Sequence, residues 1–565
     1  MKIMRLLIVL CFVWGLTMPS TAQERTFGKK EQPQPKPIHP KTTPMMGDML
    51  HVRNSKPGLL KEKIGPDAIN RVRRLTIEGL LNGDDIKIIK RICDRTTCKN
   101  DNGRSIDNYV DLDLTRANFV NSYSTDRDII SNDMFSAMDH LRTIRLPEYT
   151  REIGRHAFYN CGKLETVDMP GSVRVIGDEA FSRCDRLQTI ILSRSLTRIG
   201  RRAFSECKRL RHVVLPQSLT IIGEEAFRGC GLTDIHLNSQ LQTLGWNALA
   251  DNPLTEIYIP RNTHIDGGQP GNNPSLQQID VEQGNREYTS VGGVLYDYDM
   301  TTLLLCPEAK NGMLNVPHGI TTIAENAFAY CKLSQVVLPA SVNNIEKGAF
   351  MNCAQLQQMM IPEAVNRISP STFSGCKNLR SIHLPMHLTL IGASAFRDCV
   401  SLQGLILPNS LTTIGEHAFQ ECGSLTMLTI PSLVTKIPES CFRNCNGLQT
   451  VVLHNGITSI GKEAFRGCLT MTHLALPNSL LTIGDEAFRS CSAMREFVIP
   501  ASVTEIGNKP FIKCEQLQRI VCRGAQPPTL KSNGSEKIPL YVPRGFASLY
   551  KKAKNWKKFK TIIEE

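Results

Sequence analysis

Thirteen cysteines recur at one position of this chain: Cys161, Cys184, Cys207, Cys230, Cys331, Cys353, Cys376, Cys399, Cys422, Cys445, Cys468, Cys491 and Cys514. Thiols in such number offer three kinds of chemistry: metal ligation, disulfide cross-linking or inert packing. A tetrahedral metal site needs four ligands that converge. The usual spacing of 23 residues instead draws these thiols out in a line, and no Cys-x-x-Cys occurs. Disulfides between neighbours meet the Cα separation that such bridges tolerate, because adjacent strands lie about 4.8 Å apart. Side chains pointing the same way in parallel do not reach the required dihedral, however, and thirteen is an odd number. The ladder therefore reads as structural, a column of small inward thiols packed against their copies and kept unreactive by burial. Cys441 and Cys522 take other apolar positions of the repeat, and Cys306 lies outside it as a candidate free thiol.

No other arrangement points to catalysis. There is no Gly-rich phosphate loop, no His-Glu-x-x-His and no Gly-x-Ser-x-Gly. His156, His212, His236, His383, His417 and His473 fall at differing repeat positions and read as surface residues. The sequence thus implies no enzyme, no cofactor and no metal.

The elements that position the cysteines follow from the unit around them. Ile153 to Pro170 (Ile-Gly-Arg-His-Ala-Phe-Tyr-Asn-Cys-Gly-Lys-Leu-Glu-Thr-Val-Asp-Met-Pro) returns with variation to the C-terminal end. Phe158, Phe181, Phe204 and Phe227 mark its beat, which resumes at Phe328 and continues to Phe511. Leu-x-x-Val-x-Leu-Pro reads as a short strand, ended by a proline that has no N–H for the ladder. A second extended piece follows, as in Leu411 to Gly415, and Ala-Phe then forms a tight turn or a single helical turn. One coil has an apolar face and no core, so the coils must stack. A period in this range with recurrent Leu and Ile belongs to solenoids. The fold expected is an α/β repeat solenoid with short parallel strands and short helical turns, mostly β and coil.

Along the chain, Lys2, Arg5 and the apolar run Leu6 to Leu16, with small residues before Gln23, read as a signal peptide over 1–22 cleaved near Ala22. The run is too short for a comfortable transmembrane helix, so the expected location is secreted or cell surface. Residues 23–49 form a Pro-rich linker. Residues 50–131 lack the beat and are placed to cap the first coil. In them Arg74 to Gly79 and Asp111 to Leu114 read as strands, and Asp84 is placed to cap a helix carrying Ile86, Ile89 and Ile92. Cys93 and Cys98, in an exported chain, are near enough to bridge or to remain two thiols, and the sequence leaves both open. Repeats fill 132–250 and 314–522. Between them, 251–313 carries irregular repeats in which Tyr288 to Tyr296 and Thr301 to Leu305 look like strands. These make either a hairpin protruding from the stack or two longer coils. Residues 523–565 form a C-terminal cap with a helix-like run from Phe546 to Lys560. The formal charge of +13 is modest for 565 residues and partly reflects that basic end.

The repeated unit, the Gly293-Val-Leu-Tyr-Asp-Tyr insert, the Leu80-Leu-Asn-Gly-Asp-Asp-Ile segment and the Tyr541 … Trp556-x-x-Phe559 ending together resemble the BspA-type leucine-rich repeat proteins. The resemblance implies a non-enzymatic secreted or surface-exposed binding protein, some relatives being adhesins for host matrix proteins. It carries over no catalytic residue.

In Leu-x-x-Val-x-Leu, alternation sends Val and the last Leu inward and the residue between them outward. That outward column contains Ile191, Val214, His236, Tyr258, Val337, Met360, His383, Ile406, Val452, Val498 and Val521, bordered by a polar row. Contiguous exposed apolar surface marks binding sites, whereas β-branched residues also favour strands for their own sake. The column is the candidate site for a protein partner, host extracellular matrix among them. An acidic polysaccharide or other glycan and a structural role in the bacterial envelope are the alternatives. No nucleic-acid partner is implied.

Overall fold

The computed structural model describes residues 49–69, 71–94, 98–99, 105–106, 109–120 and 128–565. The expected signal peptide and nearly all of the Pro-rich linker lie outside these residues, as does the side chain of Cys98, so the Cys93–Cys98 pair is not described.

Each coil runs through two walls of parallel segments, although on the first wall the segments 210–215, 232–237, 402–407 and 471–476 do not form regular strands. In the first wall Met49–Asn54, Arg74–Leu81, Val110–Asp113, Leu141–Arg145, Thr166–Asp168 and Thr189–Ile190 pair in that order. The same wall resumes as Asn311–Asn315, Lys332–Val337, Gln358–Met360 and Ser381–His383, and near the end as Glu496–Ile499, Arg519–Cys522, Leu540–Val542 and Ile562–Glu564. The second wall stacks two-residue strands, beginning Ile129–Ile130, Glu152–Ile153, Val175–Ile176 and Arg198–Ile199. Equivalent residues stay in register, Val167 beside Ile190 and Ile176 beside Ile199. Every Leu, Ile and Val of the repeat therefore meets its own copies.

The Ala-Phe segment closes each coil as a tight turn rather than a helical one. The residues two before and two after Phe158, His156 and Asn160, have φ of 55° and 58°, and the pattern recurs at Glu179 with Arg183 and at Ser394 with Asp398. Left-handed backbone costs roughly 1–2 kcal/mol for an ordinary residue. The turns offset this by hydrogen-bonding coil to coil, as in Phe158 N–H to Ala180 O and Phe181 N–H to Ala203 O, both 2.7 Å. Inside, the Phe rings stack face to face. Phe158 and Phe181 lie 5.1 Å apart at 1°, and Phe396 and Phe419 lie 5.6 Å apart at 1°.

All thirteen ladder cysteines are buried and none is in a disulfide. In twelve of them the thiol donates to the carbonyl of the Phe one coil earlier, for example Cys184 to Phe158 at 3.2 Å and Cys399 to Phe373 at 3.1 Å. Cys331 reaches the carbonyls of Cys306 and Pro307 instead. Burial pushes the thiols of Cys161 and Cys445 up to about 12.

The segment 251–313 divides the interior. Tyr288–Val291, Val294–Asp297 and Thr302–Leu305 form an antiparallel meander, and Thr302–Leu305 then pairs in parallel with Thr322–Ile323. It is neither a protruding hairpin nor a pair of ordinary coils. Leu295 and Leu305 pack with the core of the first block, whereas Val294, Tyr296 and Leu303 pack with the core of the second. Tyr288 closes the second wall of the first block, its hydroxyl bonding both the N–H and the carbonyl of Ile265. Phe gives way to Leu249 here, and Cys to Asn252. The Asn252 amide still donates to Phe227 O at 2.8 Å, as a thiol would.

Both ends are closed. The N-cap of Gly83–Cys93 is Asn82, not Asp84, in a capping box with Asp85. Asp85 is buried because its carboxylate also accepts from the N–H groups of Gly58 and Leu60. At the C-terminal end the expected helical run is broken into Ala547–Lys552 and a 3₁₀ turn at Trp556–Lys558, since Ala553 is extended and Asn555 left-handed. The break lets Tyr550, Trp556 and Phe559 all turn into the core.

Candidate functional site on the first wall

The inward residues of the first wall fix what faces out. Val213 and Leu215 are buried, and Val214 between them is 70% exposed. The same alternation leaves Ile191 at 67%, Met360 at 71% and Ile406 at 89% exposure. Tyr258, Val337 and Val452 are exposed as well, as are His236 and His383. Backbone pairing brings Met360 directly beside His383. The expected column therefore exists as an outward row, with two exceptions at its end. Val498 is only half-buried and Val521 is buried. The C-terminal cap crowds this end: Tyr541 pairs with Val521, and the Arg519 guanidinium lies 4.2 Å from the Tyr541 ring centroid.

Three exposed methionines extend the apolar surface beyond that column. Met313 lies on Asn311–Asn315, Met427 sits in the otherwise polar bordering row, and Met386 follows the strand-ending Pro385. Alternation places Met313 and Met427. Nothing in the strand pattern singles out Met386.

Charge is unevenly spread along the wall. Around Tyr258 stand Asp234, Glu256, Asp280 and Glu282, with His212 2.8 Å from Asp234. Burial, with the charges of Glu282 and Asp280, holds the Tyr258 hydroxyl above the ordinary tyrosine range. From Ser334 to Ala475 the outward positions of the wall hold no carboxylate. Among the described residues no group of three or more His, Cys, Asp or Glu is arranged to hold a metal ion. No described helix is long and apolar enough to cross a membrane.

Short stacked coils whose leucine-lined parallel strands enclose an apolar core define a leucine-rich repeat solenoid. The chain belongs to the BspA-type leucine-rich repeat family: the family model, a BspA type leucine-rich repeat region in six copies, matches residues 114–224, 197–291, 308–426 and 412–526. Among solved structures it is similar to a leucine-rich repeat protein from Eubacterium ventriosum, at 20% identity over 62% of this chain and 83% of that one, TM-score 0.45. It is also similar to a leucine-rich cell surface protein from Faecalibacterium prausnitzii, at 27% identity over 57% and 82%, TM-score 0.42. The pneumococcal vaccine antigen PcpA shares 19% identity over 79% and 85%, TM-score 0.34. No curated protein matches the chain.

Proposed function

We propose that this chain is an exported, non-enzymatic binding module that takes a protein partner on its first wall. The observation that carries the reading is the outward row of Ile191, Val214, Tyr258, Val337, Met360, Ile406 and Val452, exposed along a wall whose strands, where they form, are held in register. Exposed apolar surface of this kind costs solubility unless something covers it. Methionine adds adaptable contact area suited to a protein surface. An adhesive role toward host extracellular matrix fits such a wall.

The test is Val337→Asp combined with Ile406→Asp. Both side chains are exposed, so folding stability should change by no more than about 0.5 kcal/mol per site. Binding to immobilised matrix proteins should be abolished, as read by surface plasmon resonance. Unchanged binding by a folded double variant would refute the reading.

A further inference from the structure

A second surface differs from the wall in position and in chemistry. It is the corner that precedes each first-wall strand, at the residue just before the strand's first Leu. In the first block this residue is His140, Lys163, Arg186 and Arg209 on successive coils, 23 residues apart. The coils around it are evenly spaced, their Phe rings following one another at 5.1 and 5.3 Å. Arg186 and Arg209 are exposed, and Arg211, on the neighbouring outward wall position, is exposed too.

None of these three arginines has a carboxylate partner among the described residues. Nearby acids are engaged elsewhere: Asp185 faces Lys208 at 3.7 Å, and Glu165 lies in the field of Arg142. Lys163 contacts the ring nitrogen of His140 at 2.9 Å, which leaves its charge unneutralised. Elsewhere in the same block six arginines face carboxylates, among them Arg142 with Asp111, Arg201 with Glu179 and Arg228 with Asp251, while Arg155, Arg174, Arg183, Arg194 and Arg198 do not face one among the described residues, so what sets the ridge apart is its one-per-coil alignment. From Gln355 onward the corner is neutral, through Asn378, Ser401 and Ser424 to Gln516. The position is Gly231 on the coil after Arg209 and a lone Lys332 where the second block begins, so cations fall on consecutive coils only in the first block.

We propose that the ridge Lys163–Arg186–Arg209, flanked by Arg211, binds a linear anionic polysaccharide laid along the stacking axis. One cation per coil matches a polymer whose acidic groups also recur along a line. Guanidinium is suited to carboxylate and sulfate by its planar fork of donors. A nucleic acid fits less well. In these coils the outward wall positions beside the ridge offer no aromatic ring except the His212 imidazole, so bases would find no stacking platform. This inference goes beyond the wall's protein partner and uses different residues, so either can fail alone.

The experiment titrates the full chain with a size-defined heparin oligosaccharide over a range of salt, beside a single-stranded oligonucleotide of equal charge. The variant is Lys163→Gln with Arg186→Gln and Arg209→Gln. The control removes equal charge from exposed positions of the second block, Arg367→Gln with Arg380→Gln and Lys436→Gln. The ridge variant should weaken heparin binding by about tenfold or more and lower the log–log salt slope by about one for each cation removed. The control should stay within about twofold of wild type, because distant charges are screened. Arg186→Lys with Arg209→Lys keeps the charge and should retain most of the binding. Equal losses in ridge variant and control, no binding by wild type at about 0.15 M salt, or tighter binding of the oligonucleotide would each overturn the proposal.

Discussion

The two repeat blocks share an interior and differ in what they show to solvent. Phe181 with Phe204 and Phe396 with Phe419 stack at 5.3 and 5.6 Å, and Cys184 and Cys399 make the same bond to the preceding Phe. Yet the corner that is Arg186 and Arg209 in one block is Ser401 and Ser424 in the other. The wall is acidic around Tyr258 and free of carboxylates from Ser334 to Ala475. A coil's geometry is therefore set by its inward residues, and its outward residues can diverge without cost to the stack. The meander between Tyr288 and Leu305 adds a second difference, since each block has its own core.

Three measurements bear on that comparison. The largest effect should come from alkali, which acts on the shared interior. Burial raises the thiols above their ordinary value of 9.0, four of them in the first block and ten in the second. The folded chain then holds protons that the unfolded chain releases, so stability is intact below pH 9 and falls as pH rises through and beyond it. Each thiol should contribute about 1.4 kcal/mol per pH unit, making the second block the more steeply pH-dependent. Far-UV circular dichroism through an alkaline titration reads this. A fold unchanged at about pH 11 would show that the thiols ionise without penalty.

Next in size is Phe181→Ala against Phe396→Ala, each expected to cost about 3–5 kcal/mol. Hydrogen exchange should show the loss confined to the block that carries the substitution. Equal acceleration in both blocks would mean that the meander does not separate them. The smallest effects test the ladder itself. Cys184→Ala and Cys399→Ala should cost a similar amount, about 1–2 kcal/mol. Asn252→Ala should cost more, about 2–4 kcal/mol, because the Asn252 amide serves three carbonyls and accepts from Leu232 N–H. Chemical denaturation measures all three, and a harmless Asn252→Ala would remove it from the ladder.

Much of this was legible in the residues. The Phe beat and the Leu-x-x-Val-x-Leu alternation give the stack, the inward columns and the outward row. Most of what escaped the sequence had no clear residue signature. The left-handed turn positions are held mostly by other residues, such as His156, Glu179, Arg202 and Ser394, with glycine in only a minority of coils, at Gly229, Gly348, Gly375 and Gly467. The acceptor of each thiol is a backbone carbonyl, which side-chain patterns do not reveal. The helix-like spacing of Tyr550, Trp556 and Phe559 concealed a break at Ala553 and Asn555. The divided core does carry a signal: Val294, Leu295 and Tyr296 are consecutive apolar residues, which a strand buried on both faces requires. On the wall, Val498 and Val521 follow the alternation but lie where the end cap crowds the surface.

The bond from thiol to carbonyl has a consequence for where this chain can work. The ladder ties coil to coil through thiols that carry no disulfide. Such ties need no oxidase or isomerase to form and offer no bond for reductants to cut. The repeat stack should therefore hold its fold with or without reductant.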